Sequence, residues 1–485
     1  MSERWIWAGL LLATCTAALA LLRRQSPLSL PVLAVGMTAV IGSFYPLLSL
    51  FIEPRSWRNL GDLNEVVIQR AQVDYLAFAA GLLLAIGAAG LLLPRALAPE
   101  PAPKPVLARV RFRDGLVVWS LLAVGGLLYG IYVQRIGYGT LTSTHDFAEK
   151  YLASRGQGVF LIGLNLMIAA CLWAEAGAVS RRTRLILRLV GCGIIIWATL
   201  FIAVRTYAAA LVLGYVHVLC VRRRFELRQV RPWLVLALLA AYVGLEGYAI
   251  VRGAWNTTGD LGRALELAAD VGQERALGTV LGSSELSHPF ITTAEVARFE
   301  EPGALRGESY LDALLAFVPQ ALWSERPSTL AERFVAEYYP LVDERGGGAA
   351  FSFVAEAWWN LGPVLGPLLA GLALGAALMG LRSRASLHPH GAAVRLTPYL
   401  LYLVLLFHRN QASSLFKASM SIVLPALAVY LAGDLVWSAL QRRRTHRGAG
   451  SFATKTVRHA SCRVDHRTAA LPNAGPGAPA QQLQS

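Results

Sequence analysis

The chain has 485 residues, of which 55% are hydrophobic and 15% charged, and it carries a formal net charge of +15. A soluble domain carries about a quarter charged residues, so this composition excludes an ordinary water-soluble enzyme and places the apolar excess in a bilayer. The Lys and Arg residues form short clusters beside apolar segments, which argues against nucleic acid as a partner. The scattered cysteines (Cys15, Cys171, Cys192, Cys220 and Cys462) form neither a disulfide framework nor a zinc pattern.

Apolar stretches of about 20 residues satisfy their own backbone hydrogen bonds and cross hydrocarbon as helices. In chain order the first are Trp5 to Leu22, Leu28 to Ile52, Tyr75 to Leu93, Leu116 to Val133 and Val159 to Val179. The first lacks a cleavage site and is followed by Arg23-Arg24, so it reads as a retained span rather than a signal peptide. The basic clusters mark the cytoplasmic side: Arg23-Arg24, Arg95 to Arg113, Arg181 to Arg188, Arg222 to Arg231, Arg382 to Arg384 and Arg442 to Arg447.

Between Arg188 and Arg222 lie about 33 mostly apolar residues, too many for one straight helix across ~30 Å of hydrocarbon. With both ends cytoplasmic the interval crosses twice, and its turn at Val204-Arg205-Thr206 puts Arg205 at the outer face. The same logic between Arg384 and Arg442 puts the polar break His408-Arg409-Asn410-Gln411, and so Arg409, outside. The span Trp233 to Val251 ends at Arg252, a third arginine on that face. A long non-spanning segment follows to about Ala350, and a helix from about Phe353 to Leu381 re-enters the membrane.

The expected fold is therefore an all-α polytopic membrane protein of about 11 spans. Its regions are an N-terminal bundle over 1–251, an outer loop over 252–350, further spanning helices over 351–441, and a basic tail over 442–485 that should be disordered. Within the loop, Asp260 to Val280 has helical apolar spacing, and Tyr310 to Trp323 reads as an interfacial or re-entrant helix containing Pro319. Trp323, Tyr338, Tyr339, Trp358 and Trp359 favour the headgroup level, so the loop is expected to lie on the membrane as a lid. His459, Cys462 and His466 in the tail lack a fourth ligand. Gly346 to Gly348 lacks the following Lys-Ser/Thr of a phosphate loop and reads as a hinge. His145-Asp146 reads as a solvated turn.

The loop residues Gly307-Glu308-Ser309-Tyr310, then Phe317-Val318-Pro319-Gln320, Gly346-Gly347-Gly348 and Phe351-Ser352-Phe353-Val354-Ala355-Glu356-Ala357-Trp358-Trp359-Asn360-Leu361-Gly362 resemble the outer-loop signature of the Wzy-type O-antigen and oligosaccharide repeat-unit polymerases. The match covers about 60 residues. Arg205-Thr206 resembles that family's outer Arg-Thr, and Arg409 its late outer arginine, although the His-Arg-Asn-Gln context departs from the family's. The resemblance implies a polymerase at the periplasmic face of a bacterial inner membrane. Its substrates would be polyprenyl-pyrophosphate-linked oligosaccharides as donor and acceptor, held in membrane lipid. A chain-length regulator and a flippase would be further partners, with no metal, nucleotide or nucleic acid.

Such a reaction releases a diphosphate anion, which guanidinium groups match in bidentate fashion while staying charged at any physiological pH. Arg205, Arg252 and Arg409, from three separate helix ends on one face, are the expected pyrophosphate ligands, although an arginine at a helix end also serves as a snorkelling anchor. The acceptor hydroxyl needs a base, for which Glu356, Glu285, His288 and then Glu308 are candidates. Ser309, Ser352 and Asn360 are the expected substrate-binding residues. Glu356 could also be a first-turn carboxylate favoured by its helix dipole. The competing readings are an O-antigen ligase, a polysaccharide or lipid transporter or flippase, and a scaffold for polysaccharide export.

Overall fold

The structure, a computed structural model, describes residues 3–48, 63–93, 108–143, 158–198, 205–231, 287–315, 326–340, 350–388 and 391–453, with short pieces at 97, 233, 251–267, 318, 323 and 344. Arg252, Glu285, His145-Asp146, Phe317, Pro319-Gln320, Gly346 to Gly348, His459, Cys462, His466 and most of the expected span Trp233 to Val251 lie outside the described residues. All described secondary structure is helical. The chain divides into two units, Met1–Asp434 and Leu435–Ser485.

The helices are α1 (Glu3–Leu21), α2 (Leu30–Leu48), α3 (Glu65–Leu92), α4 (Ala108–Ile136), α5 (Tyr138–Ser143), α6 (Gly158–Ala176), α7 (Arg181–Trp197) and α8 (Arg205–Arg222). There follow α9 (His288–Phe299), α10 (Glu308–Leu315), α11 (Leu330–Tyr338), α12 (Phe353–Leu361), α13 (Leu365–Leu387), α14 (Ala392–Leu406) and α15 (Ala412–Ala453). Among the described residues, α2, α3, α4, α13 and α15 are long and apolar enough to cross a membrane, and α1, α6, α8 and α14 are shorter apolar helices. Large side chains such as Leu84, Leu127 and Leu189 point outward, where hydrocarbon rather than water suits them. The chain is a multi-pass helical membrane protein.

Two apolar cores organise the first unit. One joins α1, α2, α3 and α13 through residues such as Leu11, Val35, Phe78 and Met379. The other joins α4, α6, α7, α8, α14 and α15 around Trp173, Leu211, Tyr399 and Ile422. Small residues let the backbones approach closely. A Cβ on Gly371 of α13 would collide with the Phe78 carbonyl of α3, and one on Gly81 with the Leu368 carbonyl.

Polar contacts tie most of the basic clusters to one end of this unit. The amides of Leu227 and Arg228 donate to the Gln25 and Arg23 carbonyls, and Arg222 pairs with Glu175 at the end of α6. Asp114, at the start of α4, accepts from Ala178 N–H at 2.7 Å, Trp173 Nε1 at 3.1 Å and Arg395 Nε at 3.3 Å. Its neighbour Arg113 is bidentate to Asp434 and lies over the Tyr430 ring. Arg395, which sits uneasily at the start of an apolar run, is thus a buried partner for a buried aspartate.

Three expectations are corrected. The helix expected over Phe353 to Leu381 is two helices. Gly362 takes a positive φ of 81°, Pro363 offers no amide hydrogen, and Val364 at φ 62° starts α13 with its N–H on Asp74 Oδ1 at 2.9 Å. The helix α15 runs through Arg442 to Ala453 where a disordered tail is expected. Trp358 and Trp359, expected to face the headgroups, are covered by protein. They are buried with Phe334 and Phe351 in a small core formed by α9, α11 and α12.

Candidate functional site

The end of the first unit opposite the basic clusters is closed by loop helices. The sequence starts two of them, α11 and α12, with side-chain caps. Ser352 Oγ accepts from Ala355 N–H at 2.9 Å to begin α12, and Thr329 with Glu332 forms a capping box on α11. Ser287 and Pro289 flank the start of α9. This helix is buried from Pro289 to Ala297 and plugs the bundle. Phe290 stacks between Tyr45 of α2 and Tyr75 of α3, with centroids 5.5 and 5.6 Å away.

Glu356 lies at the centre. Its residue is 1% exposed, and its carboxylate accepts from Ser309 Oγ at 2.7 Å on one oxygen and from the Ala412 backbone N–H, the first of α15, on the other. Asn360, one turn on, donates to Ser309 Oγ at 2.7 Å and to the Glu356 carbonyl at 2.8 Å, while its own Oδ1 accepts from Gly307 N–H at 3.0 Å. Three segments distant in sequence, 307–309, 356–360 and the start of α15, are thereby knotted together. Burial pushes the Glu356 carboxyl up to about 7, opposed by the Ala412 and Ser309 hydrogen bonds. Burial next to Glu356 also raises the Tyr310 phenol.

The turn Phe407 to Gln411 is pinned on both sides of Arg409. His408 is fully buried, with Nε2 3.0 Å from Thr38 Oγ1 and its ring stacked 5.8 Å from Tyr75. Burial pushes its imidazole down to about 3, so the ring is neutral at physiological pH. Gln411 Oε1 accepts from Ala331 N–H of α11 at 2.8 Å. Phe353 N–H donates to the Phe407 carbonyl at 3.4 Å.

Ser309, Glu356 and Asn360 are therefore brought into one network, with Arg409 three residues before the amide that Glu356 binds. Ser352 joins it indirectly, 2.7 Å from Thr293 of α9, and His288 is the first residue of that helix. Glu308 points to solvent. Arg205 begins α8, which packs antiparallel to α14, with Gly214 against the Pro398 carbonyl. At 1.5 Å per residue, Arg205 lies roughly 13 Å from that contact and the end of α14 at Leu406, just before the Arg409 turn, roughly 12 Å from it, toward the same end. Among the described residues no group of three His, Cys, Asp or Glu side chains could hold a metal.

Two polar residues of this end had no place in the sequence reading. Asp74 lies nine residues inside α3, because that helix begins at Glu65 rather than at Tyr75, with Asn64 as its cap. A carboxylate inside an apolar span is itself a signal of function or of a committed partner. Gln411 was visible only as part of a polar break. No family model matches the chain, and neither a curated protein nor a solved structure matches it.

Proposed function

We propose that the chain is a membrane glycosyltransferase of the oligosaccharide repeat-unit polymerase type, working at the periplasmic face of a bacterial inner membrane. The observation that carries the reading is the Ser309, Glu356, Asn360 and Ala412 knot. It joins the motif-bearing loop to the turn that presents Arg409. In this reading about 11 helices span the bilayer, the basic end faces the cytoplasm by the positive-inside rule, and the knotted end faces outward.

The donor glycan leaves its polyprenyl diphosphate as the anomeric carbon–oxygen bond breaks and the acceptor hydroxyl oxygen bonds to the same carbon. The diphosphate departs as an anion held by Arg205, Arg409 and Arg252, each charge-assisted hydrogen bond contributing about 1.5 to 3 kcal/mol. Both oxygens of Glu356 are occupied and enclosed, so Glu356 acts by positioning the Arg409 turn. The acceptor proton then passes to His288 or Glu285. Membrane lipid, a chain-length regulator and a flippase are the partners this chemistry implies.

A transporter would place a broken helix near mid-membrane depth. The break at Gly362 to Val364 instead precedes a helix of 23 residues, which at ~35 Å spans the hydrocarbon unaided.

The test is the glycan ladder of a deletion strain complemented with wild type, Arg205→Ala or Arg409→Ala. Single repeat units remaining on the carrier with either variant, at wild-type protein levels, support the reading. Full-length polymer that fails to reach its final acceptor identifies a ligase, and an unchanged ladder removes the arginines from the chemistry.

A further inference from the structure

The basic end holds a cluster that glycosyl transfer does not use. Glu175 sits in the last turn of α6 with its side chain 5% exposed. Arg188 of α7 is bidentate to it, Nε to Oε1 at 2.6 Å and Nη2 to Oε2 at 3.1 Å. Arg222, the last residue of α8, stands 3.6 Å from Oε2 and donates to the Glu175 carbonyl. Arg184 donates to the carbonyls of Ala174 and Gly177, both at 3.4 Å. One carboxylate thus meets two permanent cations, with Arg184 held on the neighbouring carbonyls, so the three arginines exceed Glu175 by two positive charges. The carbonyl end of α6 offsets part of this surplus. The rest stays at the surface, with the Arg188 and Arg222 side chains 53% and 39% exposed.

The setting of these cations points to a ligand. Arg184 closes the first turn of α7, where the helix dipole opposes positive charge, so an external anion is favoured beside it. Interleaved with Arg184 and Arg188 on the same helix, Leu185 and Leu189, each the residue after one of these arginines, are 58% and 66% exposed. Guanidinium groups next to exposed leucine side chains match a phosphate headgroup and its acyl chains. Guanidinium also binds phosphate oxygens in bidentate geometry.

From this juxtaposition we infer that Arg184, Arg188 and Arg222 form a binding site for a phospholipid bearing two phosphates, a diphosphatidylglycerol, whose acyl chains lie on Leu185 and Leu189. Two phosphate charges match the surplus of two, whereas a single-phosphate lipid cancels only half of it. Glu175 competes with the lipid for the same guanidinium groups and sets the size of the surplus. The site is independent of the glycosyl-transfer reading and stands or falls without it.

The experiment uses the full chain purified in nonionic detergent and titrated with tetraoleoyl diphosphatidylglycerol, dioleoyl phosphatidylglycerol or dioleoyl phosphatidylcholine, with retention read by native mass spectrometry. The diphosphate lipid is expected to be retained most and phosphatidylcholine least. Arg184→Gln and Arg222→Gln should each weaken its retention roughly fivefold, the effect of one arginine at a phosphate surface. Glu175→Gln, which frees the competing cations, should strengthen it by a similar factor. Equal retention of the three lipids overturns the inference, as does weaker or unchanged retention in Glu175→Gln with a wild-type helical circular dichroism spectrum. Should Glu175→Gln fail to fold, Arg184→Gln decides alone, and unchanged retention in that variant overturns it.

Discussion

The two ends of the first unit satisfy their carboxylates by different means. At the basic end Asp114 meets Arg395, Glu175 meets Arg188 and Arg222, and Asp434 meets Arg113. At the other end Glu356 and Asp74 take backbone N–H groups at the starts of α15 and α13, with Ser309 added for Glu356. A guanidinium partner is itself charged at any physiological pH. An amide donor leaves ionisation open to burial, and burial has moved Glu356 to about 7. One end is clasped by cations; the other is clasped by neutral donors, where the Glu356 carboxyl can change charge near physiological pH beside the arginine turn.

The largest effect that would test this contrast is expected from Asp114→Ala. It strands the buried Arg395 guanidinium and orphans Trp173 Nε1 and Ala178 N–H. Breaking a buried pair from one side costs about 3 to 5 kcal/mol, so the variant should melt far below wild type in detergent or fail to accumulate. Melting unchanged from wild type would mean that the ionic clasp contributes nothing.

A smaller loss is expected from Glu356→Ala, which leaves the Ala412 N–H and the Ser309 hydroxyl without their acceptor at about 1 to 3 kcal/mol each. Here the fold should survive in part while glycan chains shorten, because the Arg409 turn loses its tether. Full-length glycan from a folded Glu356→Ala protein would contradict the positioning role.

The smallest effect is a dependence on pH confined to one end. The folded Glu356 carboxyl titrates above its unfolded value, so its contribution to stability is full below about 4.5 and is lost as pH rises through about 7. His408 has the opposite sign, since its folded value is depressed and stability falls as pH drops below about 6.5 toward 3. The difference in melting temperature between wild type and Glu356→Gln isolates the first contribution. Glu356→Gln should gain on wild type between pH 5 and pH 8, and a constant difference across that range would remove Glu356 as the titrating group.

Much of the helical frame was legible because hydrocarbon admits little besides long apolar helices. The polar break expected at residues 408–411 is the one the structure has between Leu406 and Ala412; the turn expected before Arg205 borders residues outside the described ones. The split between α12 and α13 was written as Gly362-Pro363 but hidden inside an unbroken apolar run. The buried α9 was signalled by Ser287 and Pro289, although its length sits in a segment read as loop. Of the candidate site, Ser309, Glu356 and Asn360 stood out by their motif. Their partner is a backbone amide at Ala412, which has no signature in side-chain identity. Asp74 was missed because polar residues early in α3 moved its expected start to Tyr75.

The contact between Asp74 and Val364 joins residues 290 positions apart, and those between Asp114 and Arg395 and between Thr38 and His408 span 281 and 370. At a synthesis rate of ~5 to 20 residues per second, roughly 15 to 60 s separate the emergence of Asp74 from that of its amide partner. Throughout that interval the early helices occupy the bilayer with polar groups still waiting for the last third of the chain. Biogenesis must therefore shelter those groups until translation is nearly complete, and a chain that stops short of Val364 leaves a carboxylate stranded in lipid for quality control to find.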